Sequence, residues 1–298
     1  MVFLNGRFVS EGEARLSAFD AGVQHGVGLF ETLGARVERG RAEVFELDEH
    51  LDRLIRSAQE LGLSDALRKH ALAEAVAQTV ERAGHARARV RLTVTGGDLN
   101  LLSGRQGTRV DPTLMIVAQP ATEYPTELFE RGITVVIASL RVSGLDPMAG
   151  HKTLSYWARL RELRAAAERK AGEALVLQTT NHLAGGCVSN VFVVKAGTLL
   201  TPAARGEEGA ETPHPVLAGV TRGWVMGWAA DENVAVERRA LSIEDLLGAD
   251  EVFLTNSSFG VLPVVAVERA RIAAGTVGEL ARRVRCAWAE SHGVPAET

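Results

Sequence analysis

Hydrophobic and polar positions divide this chain into alternating strand-like and helix-like stretches. Phe3-Leu4-Asn5-Gly6-Arg7-Phe8-Val9 places two short apolar runs around Asn-Gly, a dipeptide suited to a two-residue hairpin turn. Residues 30–37 with Glu43-Val44-Phe45 predict a second hairpin. The period then changes. Leu47, Leu51, Leu54, Ile55, Ala58 and Leu61 fall on one face at helical spacing, and a second helix is expected over about 66–83, before Gly84. Residues 89–95 and 113–118 return to strand character. Residues 119–126 hold two prolines and no apolar period, which predicts an interdomain linker with a boundary near residue 122. Farther on, strands are expected at 134–140, 174–178, 188–194 and 252–255, and a helix over about 154–170. Residues 205–215, rich in Gly, Glu and Pro, predict an exposed loop. The alternation gives a mixed α/β class with two domains, a smaller one at 1–121 and a larger one at 122–298.

Length and composition agree with that division. The 298 residues, 46% hydrophobic, are enough for two domains with substantial cores. A net charge of −4 without a dense Lys/Arg block sets aside nucleic acid and anionic membrane surfaces as partners. Met1-Val2-Phe3-Leu4-Asn5-Gly6-Arg7 lacks a charged leader followed by a long apolar stretch, and no run reaches the ~18 apolar residues of a membrane span. A cytoplasmic protein is expected. Cys187 and Cys286 form neither a disulfide framework nor a metal-ligand spacing, so no metal site is expected.

The chemistry candidates begin with Lys152, in His151-Lys152-Thr153, ahead of the helix expected from 154. A lysine at a helix start is ordinarily a solvated charge, whereas a desolvated one becomes a nucleophile that forms Schiff bases with carbonyls. Its companions decide between the two. Leu217-Ala218-Gly219-Val220-Thr221-Arg222 leads into an apolar helical stretch whose first amides lack partners and favour an anion, although Thr221 is also an ordinary N-cap candidate. The strand Glu251-Val252-Phe253-Leu254 ends in Thr255-Asn256-Ser257-Ser258, a hydroxyl-rich turn able to add donors to the same phosphate.

Six separated segments now carry a resemblance: Asp20 to Thr32 with Gln24-His25-Gly26 and Leu29-Phe30-Glu31-Thr32, His50-Leu51-Asp52-Arg53-Leu54, Lys152-Thr153-Leu154, Ser189-Asn190-Val191-Phe192, Leu217 to Arg222, and Ala249 to Leu254. In order and content they resemble class IV pyridoxal-phosphate enzymes, a family of branched-chain aminotransferases, D-amino-acid aminotransferases and aminodeoxychorismate lyases. The resemblance covers nearly the whole chain. It implies pyridoxal 5'-phosphate held between two domains, with the larger domain as the cofactor-binding one, a small-molecule amino substrate, and a homodimer. Lys152 is then the Schiff-base lysine and proton shuttle, and Arg53 binds the cofactor phosphate through its two-pronged guanidinium. Val220 and Thr221 supply amides and Ser257 a further donor. Leu217 packs on one face of the pyridine ring, with Ser189 and Asn190 near the other. His25, Phe30, Thr32 and Arg91 match positions lining the substrate pocket.

One position departs from the family. Its members commonly carry a glutamate five residues before the asparagine of Ser-Asn-Val-Phe, where it keeps the pyridine nitrogen protonated, and here that cofactor-side position is Gly185. Loss of the charged hydrogen bond disfavours a carbanion delocalised into the ring. The Asn256-Ser257 turn is similar to that of the lyases, in which a threonine at the place of Thr32 assists proton transfer as pyruvate is eliminated. The resemblance therefore leans toward 4-amino-4-deoxychorismate lyase, an enzyme of folate biosynthesis that forms 4-aminobenzoate. An amino-acid aminotransferase is the alternative, and Gly185 motivates a third, a catalytically impaired binding protein of the same fold.

Overall fold

The computed structural model describes residues 1–98, 111–207 and 212–294. The chain divides into two compact units, Met1–Thr122 with His151–Ser155, and Glu123–Gly150 with Tyr156–Thr298.

The first unit contains β1 (Val2–Leu4), β2 (Arg7–Val9), α1 (Ala21–His25), β3 (Gly28–Glu38), β4 (Arg41–Val44), α2 (Leu47–Glu60), α3 (Lys69–Ala83), β5 (Arg87–Thr95) and β6 (Leu114–Pro120). Its six strands run in the order β2-β1-β6-β5-β3-β4, every neighbouring pair antiparallel. Alternation along β3 buries Leu29, Leu33 and Ala35 with Leu51 and Leu54 of α2 and Val76 and Val80 of α3. Glu31 shares that parity. Phe30 and Thr32 occupy the opposite face, where Thr32 stands directly across from Arg91 of β5.

The second unit contains α4 (Glu127–Glu130), β7 (Ile133–Val142), α5 (Trp157–Glu168), β8 (Glu173–Gln178), β9 (Leu183–Gly186), β10 (Asn190–Lys195), β11 (Thr198–Thr201), α6 (Val220–Asp231), β12 (Val236–Arg238), α7 (Ile243–Leu247), β13 (Glu251–Asn256), β14 (Gly260–Val267), β15 (Ala270–Arg271) and α8 (Glu279–Ser291). Its nine-stranded sheet follows β12-β11-β10-β13-β14-β7-β8-β9, with β15 added beside β14. The apolar runs of β8, β10 and β13 are buried on both faces, as central strands require. Among the described residues, no helix is long and apolar enough to cross a membrane.

Several expected boundaries move, each for a local reason. α3 starts at Lys69 rather than near 66, because Ser64 Oγ accepts the Ala66 amide and Arg68 is extended. β6 continues through Gln119 and Pro120 into the stretch expected to be linker, and the missing proline N–H falls on its last residue. α5 starts at Trp157 rather than 154. The segment before it is extended and bonded to β3, with the Phe30 amide donating to Lys152 O at 3.0 Å and the Leu154 amide to Gly28 O at 2.9 Å. β10 starts at Asn190 rather than 188, because β9 ends at Gly185-Gly186 and Cys187-Val188-Ser189 reverse the chain between the two strands. The loop expected over 205–215 is tied down at its described ends by the Arg205 amide on Val216 O and by Glu207 on Arg222, and Pro215 is buried. Residues 208–211 of that expectation lie outside the described residues.

Candidate active site

In the first unit the candidates gather around β3. Because His151–Ser155 adds to the edge of this strand, Lys152 is an extended residue beside Phe30 and not the helix-start residue expected from sequence. Its Nζ lies 4.5 Å from the Phe30 ring centroid, and the Arg91 guanidinium lies 3.8 Å from the same centroid. His151 anchors the segment on α2 through a 2.9 Å hydrogen bond between its Nδ1 and Ser57 Oγ.

Beneath Phe30, the polar residues of β3 and α2 interlock. Arg53 donates from Nε and Nη2 to the two oxygens of Glu31, at 2.8 and 2.5 Å, and His50 Nδ1 meets Glu31 Oε2 at 2.7 Å. All three are buried. Burial pushes the Glu31 carboxyl up, but the Arg53 charge and the hydrogen bonds from His50 and Arg53 outweigh it and hold the group at about 2. Burial also lowers His50, and the charges of Arg53 and Lys152 act in the same direction, so the imidazole is neutral and Nδ1 carries the proton given to Glu31. Thr32 stands in register with Arg91, on the same face of the strand as Phe30. His25, by contrast, ends α1 exposed and shares no described hydrogen bond or ring contact with these residues.

In the second unit the remaining candidates converge on the N-terminus of α6. Its N-cap is Gly219 and not Thr221, so the capping residue brings no side chain to the first-turn amides. A Cβ on residue 219 would overlap Asn190 Oδ1, so glycine is what lets the helix start close to β10. Asn190 Nδ2 in turn donates to Leu217 O at 2.8 Å, fixing the approach to the helix. Thr221 Oγ and Ser257 Oγ lie 3.4 Å apart, bringing two hydroxyls to the same helix end. Asn256 builds the β13–β14 turn by accepting the Ser258 and Phe259 amides and reaches Val188 O with Nδ2 at 3.2 Å. Amides, hydroxyls and a helix dipole are what a phosphate monoester needs, so this end is chemically suited to one.

Ser189 and Gly185 belong to the β9–β10 reversal. Ser189 Oγ donates to Glu173 Oε2 at 3.1 Å, and that buried carboxylate also accepts the amides of Ala174, Cys187 and Val188. Burial raises the Glu173 pKa against the pull of these bonds. The same environment pushes the Cys187 thiol up to about 12, chiefly by burial and then by the Glu173 charge, so it is a neutral core group rather than a nucleophile. At Gly185 the backbone has φ +145°, and a Cβ would stand 2.8 Å from Ser189 O. Glycine at 185 leaves no acid where the resemblance would place a glutamate.

Sequence reasoning gave no role to Glu31, His50, Glu173 or Arg159. Glu31 carried a usable signal, a charge in phase with apolar Leu29 and Leu33 on a strand. Glu173 opens an apolar strand and so looked like an ordinary boundary residue.

Comparison with known proteins shows the family. The amino-transferase class IV profile matches residues 28–267. The chain belongs to the class IV aminotransferase family. It is 33% identical over 286 residues, 95% of this chain and 93% of the relative, to a Methanocaldococcus jannaschii protein provisionally named a branched-chain-amino-acid aminotransferase. It is 28% identical to the aminodeoxychorismate lyase of Bacillus subtilis, over 90% of this chain and 87% of that one. Among solved structures, a T.th. branched-chain amino acid aminotransferase with pyridoxamine 5'-phosphate superposes with a TM-score of 0.87 at 26% identity, covering 98% of this chain and 93% of that one. This class IV enzyme is therefore pyridoxal-phosphate-dependent, an aminotransferase or a lyase acting on a small amino substrate.

Proposed function

We propose that this class IV enzyme is 4-amino-4-deoxychorismate lyase, with Lys152 as both the covalent anchor of the cofactor aldehyde and the base. Arg53, the Val220 and Thr221 amides and Ser257 bind the phosphate, Leu217, Ser189 and Asn190 flank the pyridine, and Phe30, Thr32, Arg91 and His25 face the substrate. When bound, pyridoxal phosphate acidifies the C–H beside the substrate nitrogen by withdrawing electrons. Lys152 Nζ accepts that proton, and Thr32 is placed to pass one on. Arg91, always cationic, suits a substrate carboxylate.

The observation that carries the choice of reaction is the lyase-like Asn256-Ser257 turn, with Thr32 across from Arg91 on the Phe30 face, whereas Gly185 departs from lyases and aminotransferases alike. Transamination would draw more on the electron-withdrawing ring of the bound cofactor, which an acid at the ring nitrogen would assist. Elimination sends the pair out with the departing enolpyruvyl oxygen and relies less on the ring. Formation of an aromatic product adds driving force. The 33% identity to the Methanocaldococcus jannaschii relative favours the second reading, an amino-acid aminotransferase. A homodimer in the cytoplasm completes the proposal.

Borohydride reduction of the protein loaded with pyridoxal phosphate, with peptide mapping, tests the anchor. Label on Lys152 is expected, and a Lys152→Ala variant that still yields a reducible adduct and turnover would remove the assignment. Parallel assays then separate the reactions: pyruvate and 4-aminobenzoate from aminodeoxychorismate support the lyase, while amino transfer to a 2-oxo acid without pyruvate release supports the alternative. Light scattering on the eluting protein checks the dimer.

A further inference from the structure

The β9–β10 reversal is gripped from two sides. Its amides are held by Glu173, and its carbonyls by α5 and the residue before it: Arg159 Nη1 donates to Gly186 O at 3.3 Å and Cys187 O at 3.1 Å, and Tyr156 Oη donates to Cys187 O at 3.4 Å. A side chain on residue 186 would run into Ser189 Oγ and the Glu173 carboxylate, so the acid lies on the residue-186 face of the strand. Residue 185 points to the other face. There, φ +145° and the 2.8 Å approach to Ser189 O leave no place for a side chain without moving the backbone.

Glu173 cannot stand in for the absent acid, since it faces away and four donors already occupy its oxygens. The other carboxylate whose charge reaches Cys187, Glu162, is engaged by Ser139 and Arg161. Among the described residues, the cation that bonds the carbonyls of the reversal is Arg159. We infer that a pyridine nitrogen held at this strand end meets a cationic, acid-free surface and stays unprotonated at neutral pH. The inference rests on the cofactor reading above. It makes Arg159 a positioning residue that fixes the reversal and sets the charge the ring experiences.

The test is the ¹⁵N resonance of the holoenzyme loaded with pyridoxal phosphate labelled at the ring nitrogen, followed through neutral pH. The expected wild-type signal is that of a free pyridine. Arg159→Met is expected to protonate at a higher pH than wild type, and Arg159→Lys, which keeps the charge, to follow wild type. A pyridinium signal in the wild type at neutral pH overturns the inference even if Arg159→Met does not fold. Superimposable titrations of folded wild type and Arg159→Met overturn the role of Arg159. Failure of borohydride to label Lys152 would instead sink the cofactor reading and this inference with it, whereas a labelled Lys152 with a protonated ring sinks this inference alone.

Discussion

Glu31 and Arg53 form a buried two-point ion pair, with Nε and Nη2 of the arginine on separate carboxylate oxygens at 2.8 and 2.5 Å. The arginine proposed to bind phosphate is thus already oriented by an acid one layer below the sheet face that carries Phe30. Substitution of Arg53 strands a buried carboxylate as well as removing a phosphate ligand. Loss of one partner of such a pair typically costs about 3–5 kcal/mol.

Arg53→Ala is therefore expected to lower both stability and cofactor affinity, and the two effects can be separated. In Arg53→Ala/Glu31→Gln the stranded charge is gone, so the urea midpoint should recover part of its loss. Affinity for pyridoxal phosphate should not recover. Recovery of both would place Arg53 in the scaffold only.

The same pair sets an acid limit. Glu31 titrates near 2 in the fold against an ordinary 4.5, so its contribution is fully present above about 4.5 and is lost as pH falls toward about 2. The shift corresponds to a stabilisation on the order of 3 kcal/mol. Urea unfolding at a series of pH values should show wild type losing stability through this window more steeply than Glu31→Gln. Parallel curves for the two proteins would contradict it.

These residues also show why the fold was more legible than the site. The periods of Leu47, Leu51 and Leu54 and of the β3 and β5 runs report burial, and burial follows from side-chain character alone. The Asn5-Gly6 hairpin was readable for a similar reason, with Leu4 and Arg7 paired across the turn. The extended path of Lys152 was not, because its hydrogen bonds go to Gly28 and Phe30, more than a hundred residues away. The family motifs marked Arg53 and Thr221 as phosphate ligands without showing that Glu31 orients the first or that Gly219 caps the helix of the second.

Arg222 offers a second buried ion pair, in the other unit. It donates to both oxygens of Glu207 at 2.8 and 2.9 Å, to Thr201 Oγ and to Pro202 O, and it is almost fully buried. Burial raises the Glu207 carboxyl, but the Arg222 hydrogen bonds lead a set of interactions that leave it below its ordinary value. Arg222→Ala should destabilise by about 3–5 kcal/mol. Thermal unfolding of the apoprotein reads this, and a midpoint equal to wild type would mean the Arg222–Glu207 pair contributes no net stability.

Gly219 makes the most specific prediction for the phosphate end. A methyl group there overlaps Asn190 Oδ1, and relieving the overlap means moving either α6 or the Asn190 side chain that donates to Leu217 O. Overpacking of this kind costs about 1–3 kcal/mol. Because the displaced groups are the proposed phosphate amides and ring contact, Gly219→Ala should weaken pyridoxal phosphate binding roughly tenfold to a hundredfold, read by titrating the apoprotein and following absorbance. Gly219→Ala/Asn190→Ala removes the overlap and should regain stability relative to Gly219→Ala, while affinity stays low because the Leu217 bond is gone. Wild-type affinity in Gly219→Ala would show that the helix start tolerates displacement and that its amides do not set cofactor binding.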